Sequence, residues 1–104
     1  MAIDEFVITL EESEDSLRLT AKGHVNAINS TALQYELEEA IGKGQSNIVL
    51  NMTQVDFLSS SGIRVILKTY KSMDKAGGQF RIERPSEVVK NVLGMTALEG
   101  MLLR

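Results

Sequence analysis

VDFLSSSGIRVILKTYK, residues 55–71, runs from an apolar, strand-like segment through three consecutive serines and a glycine into an amphipathic helix. Ile63, Ile66, Leu67, Tyr70 and Met73 recur at helical spacing until Gly77 and Gly78 break the pattern, which predicts a strand, a tight turn and a helix. Just upstream, NIVLNM is a short continuous apolar run of the kind that forms a central, parallel strand covered on both faces. Just downstream, Phe80 and Ile82 make another strand, and Pro85 and Ser86 open a helix carrying Val88, Val89, Val92 and Leu93. A shorter apolar piece spans residues 97–103.

Towards the N-terminus, Phe6, Ile8 and Leu10 alternate with Val7 and Thr9. After the acidic stretch EESED, Leu17, Leu19 and Ala21 alternate with Arg18, Thr20 and Lys22, the period of two of a half-buried hairpin. Thr31 followed by Gln34 fits a capping box, so a helix is expected to open there and to bury Leu33, Leu37, Ala40 and Ile41 before stopping near Gly42. The resulting order is strand, strand, helix, strand, helix, strand, helix. Strands alternating with helices imply parallel pairings, and the opening hairpin adds an antiparallel one. The expected fold class is α/β: one domain over residues 1–104, with a mixed four- to five-stranded sheet and helices packed on it.

Composition narrows the chemistry. With no cysteine, disulfides and thiolate metal sites are excluded, and a single histidine makes a conventional transition-metal site an unexpected feature. No run approaches the roughly 18 apolar residues of a membrane span, and MAIDEF lacks the basic and apolar regions of a leader. A cytoplasmic protein without membrane insertion is expected. A net charge of −3 argues against non-specific nucleic-acid binding, which needs a basic footprint. Met52, Met73 and Met95 read as core filler.

Serines at a strand-to-helix junction suggest the nucleophile elbow of hydrolases, but that motif is GxSxG with a histidine downstream. Here Ser60 is flanked by serines and His24 lies upstream, as a strand-end residue, so no catalytic residue is assigned. IGKGQS resembles a piece of a phosphate loop, yet Gly44 stands where Ser or Thr must follow Lys43, and a helix-terminating turn explains it better. No cofactor is expected. Capping accounts for one serine, since a hydroxyl there accepts a bond from a free amide of the first turn. Three short side chains before a glycine also let the turn approach another surface closely. Arg64, Lys68, Lys71 and Lys75 are spaced by four, three and four, and at about 100° per residue they form one basic stripe headed by Ser60. A phosphate at Ser60 would meet the helix N-terminus and lie within reach of a guanidinium.

GHVNAINSTALQYELEEAI, NIVLNMTQVDFLSSSGIRVILKTYK and GGQFRIERPSEVVKNVLGMTAL together resemble the STAS domain family, specifically the stand-alone bacterial anti-sigma-factor antagonists. The resemblance implies a non-enzymatic protein that binds an anti-sigma factor with serine-kinase activity and so frees a sigma factor. It also implies that the partner phosphorylates a serine at the start of the second helix, which ends the complex, and that a metal-dependent serine/threonine phosphatase restores it. In the family pattern the acceptor stands two residues before a glycine, which places the phosphate on Ser60, ahead of Ser59 or Ser61, with Gly62 as the glycine. The expected partner surface comprises Asn26, Ser59, Ser60, Ser61, Gly62, Arg64 and Lys68, within an outline formed by the turn from Val25 to Ser30, the serine turn and the exposed stripe of the second helix, on a monomer or weak dimer. Two departures stand out: many members carry Asp before the acceptor and another after the second strand, where this chain has Ser59 and Asn26. They leave a second reading open, an unphosphorylated adaptor subunit of a lipid transporter or signalling scaffold.

Overall fold

The computed structural model describes residues 6–94. The expected apolar piece at residues 97–103 and Met95 lie outside the described residues. Strands β1 (Val7–Glu12), β2 (Leu17–Val25), β3 (Asn47–Leu58) and β4 (Gln79–Glu83) form a sheet in the order β1-β2-β3-β4. β1 pairs antiparallel with β2, while β3 pairs parallel with both β2 and β4. Helices α1 (Ala27–Gly42), α2 (Ser60–Lys75) and α3 (Glu87–Leu93) complete the expected alternation.

Among the described residues the helices cover one face of the sheet. Leu17, Leu19, Ala21 and Val25 of β2, Ile48, Leu50 and Met52 of β3, and Phe80 and Ile82 of β4 join one core with Leu33 and Leu37 of α1, Ile66 and Met73 of α2, and Val89 and Leu93 of α3. On the opposite face Val49 is buried outside that core, with Arg18 and Arg81 as its cross-strand neighbours. Long cationic stems in that position cover an apolar neighbour while their heads stay wet. The expectation that β3 is covered on both faces holds at Val49, which is buried, but among the described residues the helices of the core lie on the other face and the cross-strand neighbours of Val49 are Arg18 and Arg81.

β3 also runs six residues beyond NIVLNM, to Leu58. Its register against β2 shifts twice, between Thr20 and Lys22 and between Gly23 and His24, so that β3 carries the extra residues. Each bulge turns a spacing of two into a spacing of three, and Met52, Val55 and Leu58 all still face inward. Gly23, with φ at +115°, sits between the two shifts.

A correction concerns the start of α1. The helix begins at Ala27, capped by Asn26, whose Oδ1 accepts a 2.8 Å hydrogen bond from the Asn29 amide. Thr31 is already inside the helix and its hydroxyl donates back to the Ile28 carbonyl at 2.6 Å, while Gln34 Nε2 donates to Glu38 Oε2 at 2.9 Å. Asn ranks with the strongest caps, and the Asn26 turn starts a helix one turn earlier than the Thr31 pattern does. Gly44 and Gly77, at φ +87° and +80°, supply the left-handed turns after α1 and α2.

Candidate functional site: the serine turn and the α1–α2 groove

The site is assembled where β2 and β3 end and α1 and α2 begin. The parallel ladder continues into the serine turn, because the Ser59 amide donates to the Val25 carbonyl at 2.9 Å. Ser59 is the N-cap of α2, and its Oγ accepts from the Gly62 amide at 3.1 Å. Ser60 is the first helical residue and is exposed, whereas Ser59 and Ser61 are half-buried. The three hydroxyls thus have different surroundings: one caps, one faces solvent, and one lies in a groove wall.

Gly62 explains how α2 can start so close to the strands. A Cβ on it would stand 2.7 Å from both Leu58 Cδ1 and Val25 Cγ1, closer than packed carbons approach. Gly62 is buried, so it shapes the turn from beneath and offers no side-chain contact of its own.

A groove of about 340 Å³ opens between the two helices, with Ala27, Ser30 and Gln34 on the α1 side and Ser61, Arg64 and Lys68 on the α2 side. Lys68 Nζ lies 3.6 Å from Glu38 Oε2 and ties the walls together. The fold thus brings Ser61, Arg64 and Lys68 to one groove whose head is the turn carrying Ser59 and Ser60. Asn26 stands at the same end, half-buried and occupied in capping α1.

Of the α1 wall, Ala27 and Ser30 fall within the turn from Val25 to Ser30 that the sequence marks as a partner surface, whereas Thr31 and Gln34 have no chemical signature until α2 lies beside them. Sequence reasoning also missed the contact of His24 Nδ1 with Asp56 Oδ1, made next to Phe57, whose ring meets the imidazole edge-on at 6.2 Å between centroids. His24 is the penultimate residue of β2, and its carbonyl accepts from Asn29 Nδ2 at 2.7 Å, fastening the strand end to the first turn of α1. Bulges decide the His24–Asp56 pairing, and a plain count along β3 does not anticipate it. Among the described residues no group of His, Cys, Asp and Glu is placed to hold a metal ion. No helix among them is long and apolar enough to cross a membrane.

Residues 7–103 match the STAS domain. The chain belongs to the STAS domain family. Among relatives, this STAS domain is 31% identical over 72 residues to BtrV of Bordetella bronchiseptica, a protein named as an anti-sigma factor antagonist. That match covers 69% of this chain and 62% of BtrV, less than two thirds of its length. The anti-sigma F factor antagonist of Paenibacillus polymyxa is 29% identical over 92 residues, covering 88% of this chain and 79% of that protein. The fold matches the anti-sigma factor antagonist SpoIIAA in its unphosphorylated form with a TM-score of 0.82 at 20% identity, over 94% of this chain and 86% of that one. The Bacillus cell fate determinant SpoIIAA in its phosphorylated form matches with a TM-score of 0.77 at 19% identity, over 94% and 89%. At such identities the likeness carries the fold, and family and fold agree with the resemblance read from the sequence.

Proposed function

We propose that this STAS domain is a cytoplasmic, non-enzymatic anti-sigma-factor antagonist that binds an anti-sigma factor with serine-kinase activity and is switched off by phosphate on Ser60. Relatives carrying that name support the class of function. One observation carries the assignment of the switch. Among the three serines, Ser60 alone is exposed, at the first position of α2, while Ser59 is occupied as the cap and Ser61 lines the groove. Its position also suits a phosphate, since free amides and the positive end of the helix dipole stabilise an anion there. The modification adds about −1.5 to −2 charges at a surface that has to close against a partner. Desolvating that charge against a partner without matching cations drives release, and a serine/threonine phosphatase returns the chain to its binding form.

The adaptor reading keeps one observation in its favour: Ser59 and Asn26 are both neutral caps at the positions where many family members carry a carboxylate. Phosphopeptide mapping over residues 58–64, on protein from its own cells across growth and stress conditions, separates the two. Phosphate on Ser60 that varies with condition supports the switch; a segment bare under every condition sinks it and leaves the adaptor. With the partner in hand, Ser60→Asp is expected to abolish binding and Ser60→Ala to bind constitutively. Wild-type affinity in Ser60→Asp rules out the charge mechanism.

A further inference from the structure

The two helices that wall the groove differ in what they expose. Thr31 lies on the α1 side of the groove, and Ile28 and Tyr35, one turn before and one turn after it, project outward at 79% and 61% exposure. α1 therefore carries apolar side chains on two faces: Leu33, Leu37 and Ala40 are buried, while Ile28 and Tyr35 are exposed. On α2, Arg64 and Lys68 line the groove, and Lys71 and Lys75 continue the same side for about 16 Å of helix. Lys68 is paired with Glu38, but Arg64, Lys71 and Lys75 make no ion pair among the described residues, whereas Arg18 and Lys90 do. A chain of net charge −3 concentrates four of its 11 Lys and Arg residues along this one rim.

We infer that the groove docks an acidic, amphipathic segment of a partner protein, its apolar side chains on Ile28 and Tyr35 and its carboxylates along Arg64, Lys71 and Lys75. This rests on the anti-sigma-factor-antagonist reading for the kind of partner, and adds the chemistry by which the partner is recognised. Charge complementarity selects an acidic occupant, and the exposed apolar pair on the outer side of α1, beside the groove, selects a peptide with two unlike sides. The same placement accounts for the switch: Ser60 heads the basic rim, so a phosphate there neutralises Arg64 and repels the first carboxylate of the docked segment.

The test uses short, fluorescein-labelled synthetic peptides and the full unphosphorylated chain. One peptide carries glutamates on one side of a helix and leucines on the other; its two controls replace Glu by Gln or Leu by Ser. The acidic amphipathic peptide is expected to bind saturably, to weaken as salt rises, and to shift the backbone amide resonances of α1 and α2; both controls are expected to lose binding. In K71E/K75E affinity falls at least about fivefold, the loss of two exposed ion pairs, with the melting temperature retained as the control for folding. Ile28→Ser with Tyr35→Ser weakens binding as well. No saturable binding, or shifts confined to the sheet face away from α1 and α2, overturns the proposal. So does tighter binding of phosphatidylglycerol vesicles or of an oligodeoxythymidine to the same residues. Docking and switch fail separately: binding by a chain never phosphorylated in cells keeps the docking site and ends the switch, while a regulated phosphate on Ser60 with no peptide binding does the reverse.

Discussion

Three adjacent serines with nearly identical chemistry do different work because α2 begins between the first and the second. Ser59 Oγ accepts the Gly62 amide, so Ser59→Ala is expected to cost about 1 kcal/mol, the usual value of an N-cap. For a domain of this size that is a fall in melting temperature of about 4–8 °C, read by calorimetry. Ser60→Ala removes no bond of this kind, and its melting temperature should match wild type. A drop as large as that of Ser59→Ala would place the cap on the wrong serine. Gly62 is a harsher position: adding one methyl meets Leu58 and Val25 at 2.7 Å, and Gly62→Ala is expected to lose roughly 1–3 kcal/mol in urea unfolding, as overpacked sites do. An unchanged midpoint would mean that α2 lifts off the strand ends without penalty.

At the scale of elements, the two ends that form the site are held by helix caps and by bonds between elements. Asn26 caps α1, Ser59 caps α2 and Ser86 caps α3. Ser86 has a double duty, donating its hydroxyl to the Val55 carbonyl at 2.6 Å and accepting the Val89 amide at 3.2 Å. The Val55 carbonyl lies on the bulged part of β3, where ladder bonds are interrupted. Ser86→Ala is therefore expected to cost more than Ser59→Ala, about 1–3 kcal/mol, because a half-buried carbonyl loses its donor together with the cap. Hydrogen exchange should speed up first in α3 and in the second half of β3; a uniform change would show that α3 is not tied to the sheet through this side chain. Asn26→Asp keeps an equivalent cap, so stability should hold while the turn gains a carboxylate.

Over the whole molecule, the described helices cover one sheet face and not the other, which sets where mutations are felt. Ile48 and Val49 are neighbours in sequence and both buried, yet Ile48 joins the core and Val49 does not. Ile48→Ala is expected to lose about 2–5 kcal/mol, the range for emptied core sites. Val49→Ala should lose clearly less, because the stems of Arg18 and Arg81 can settle into the space. Equal losses in chemical denaturation would show that the second face is packed like the first. The one-sided arrangement also leaves α1 and α2 side by side on the outside, the condition for having a groove between them.

Local pattern determined most of the architecture. The alternation over Leu17–Ala21, the helical spacing over Ile63–Met73 and the glycine stops after α1 and α2 are short-range consequences of backbone geometry, and all are found in place. The serine turn as a cap, with its basic stripe, was legible for the same reason, since a helix fixes the relation of residues four apart. What sequence pattern misjudged depended on partners distant in the chain. β3 past Met52 lost its period of two to bulges set by pairing with β2, and Val49 is buried with arginines of two other strands as its cross-strand neighbours. The α1 wall of the groove, and the separate surroundings of Ser59, Ser60 and Ser61, arose only when α2 packed against α1 and against the strand ends. Those contacts join residues from different elements, and their strength lies in surface buried between chain segments that no single segment contains.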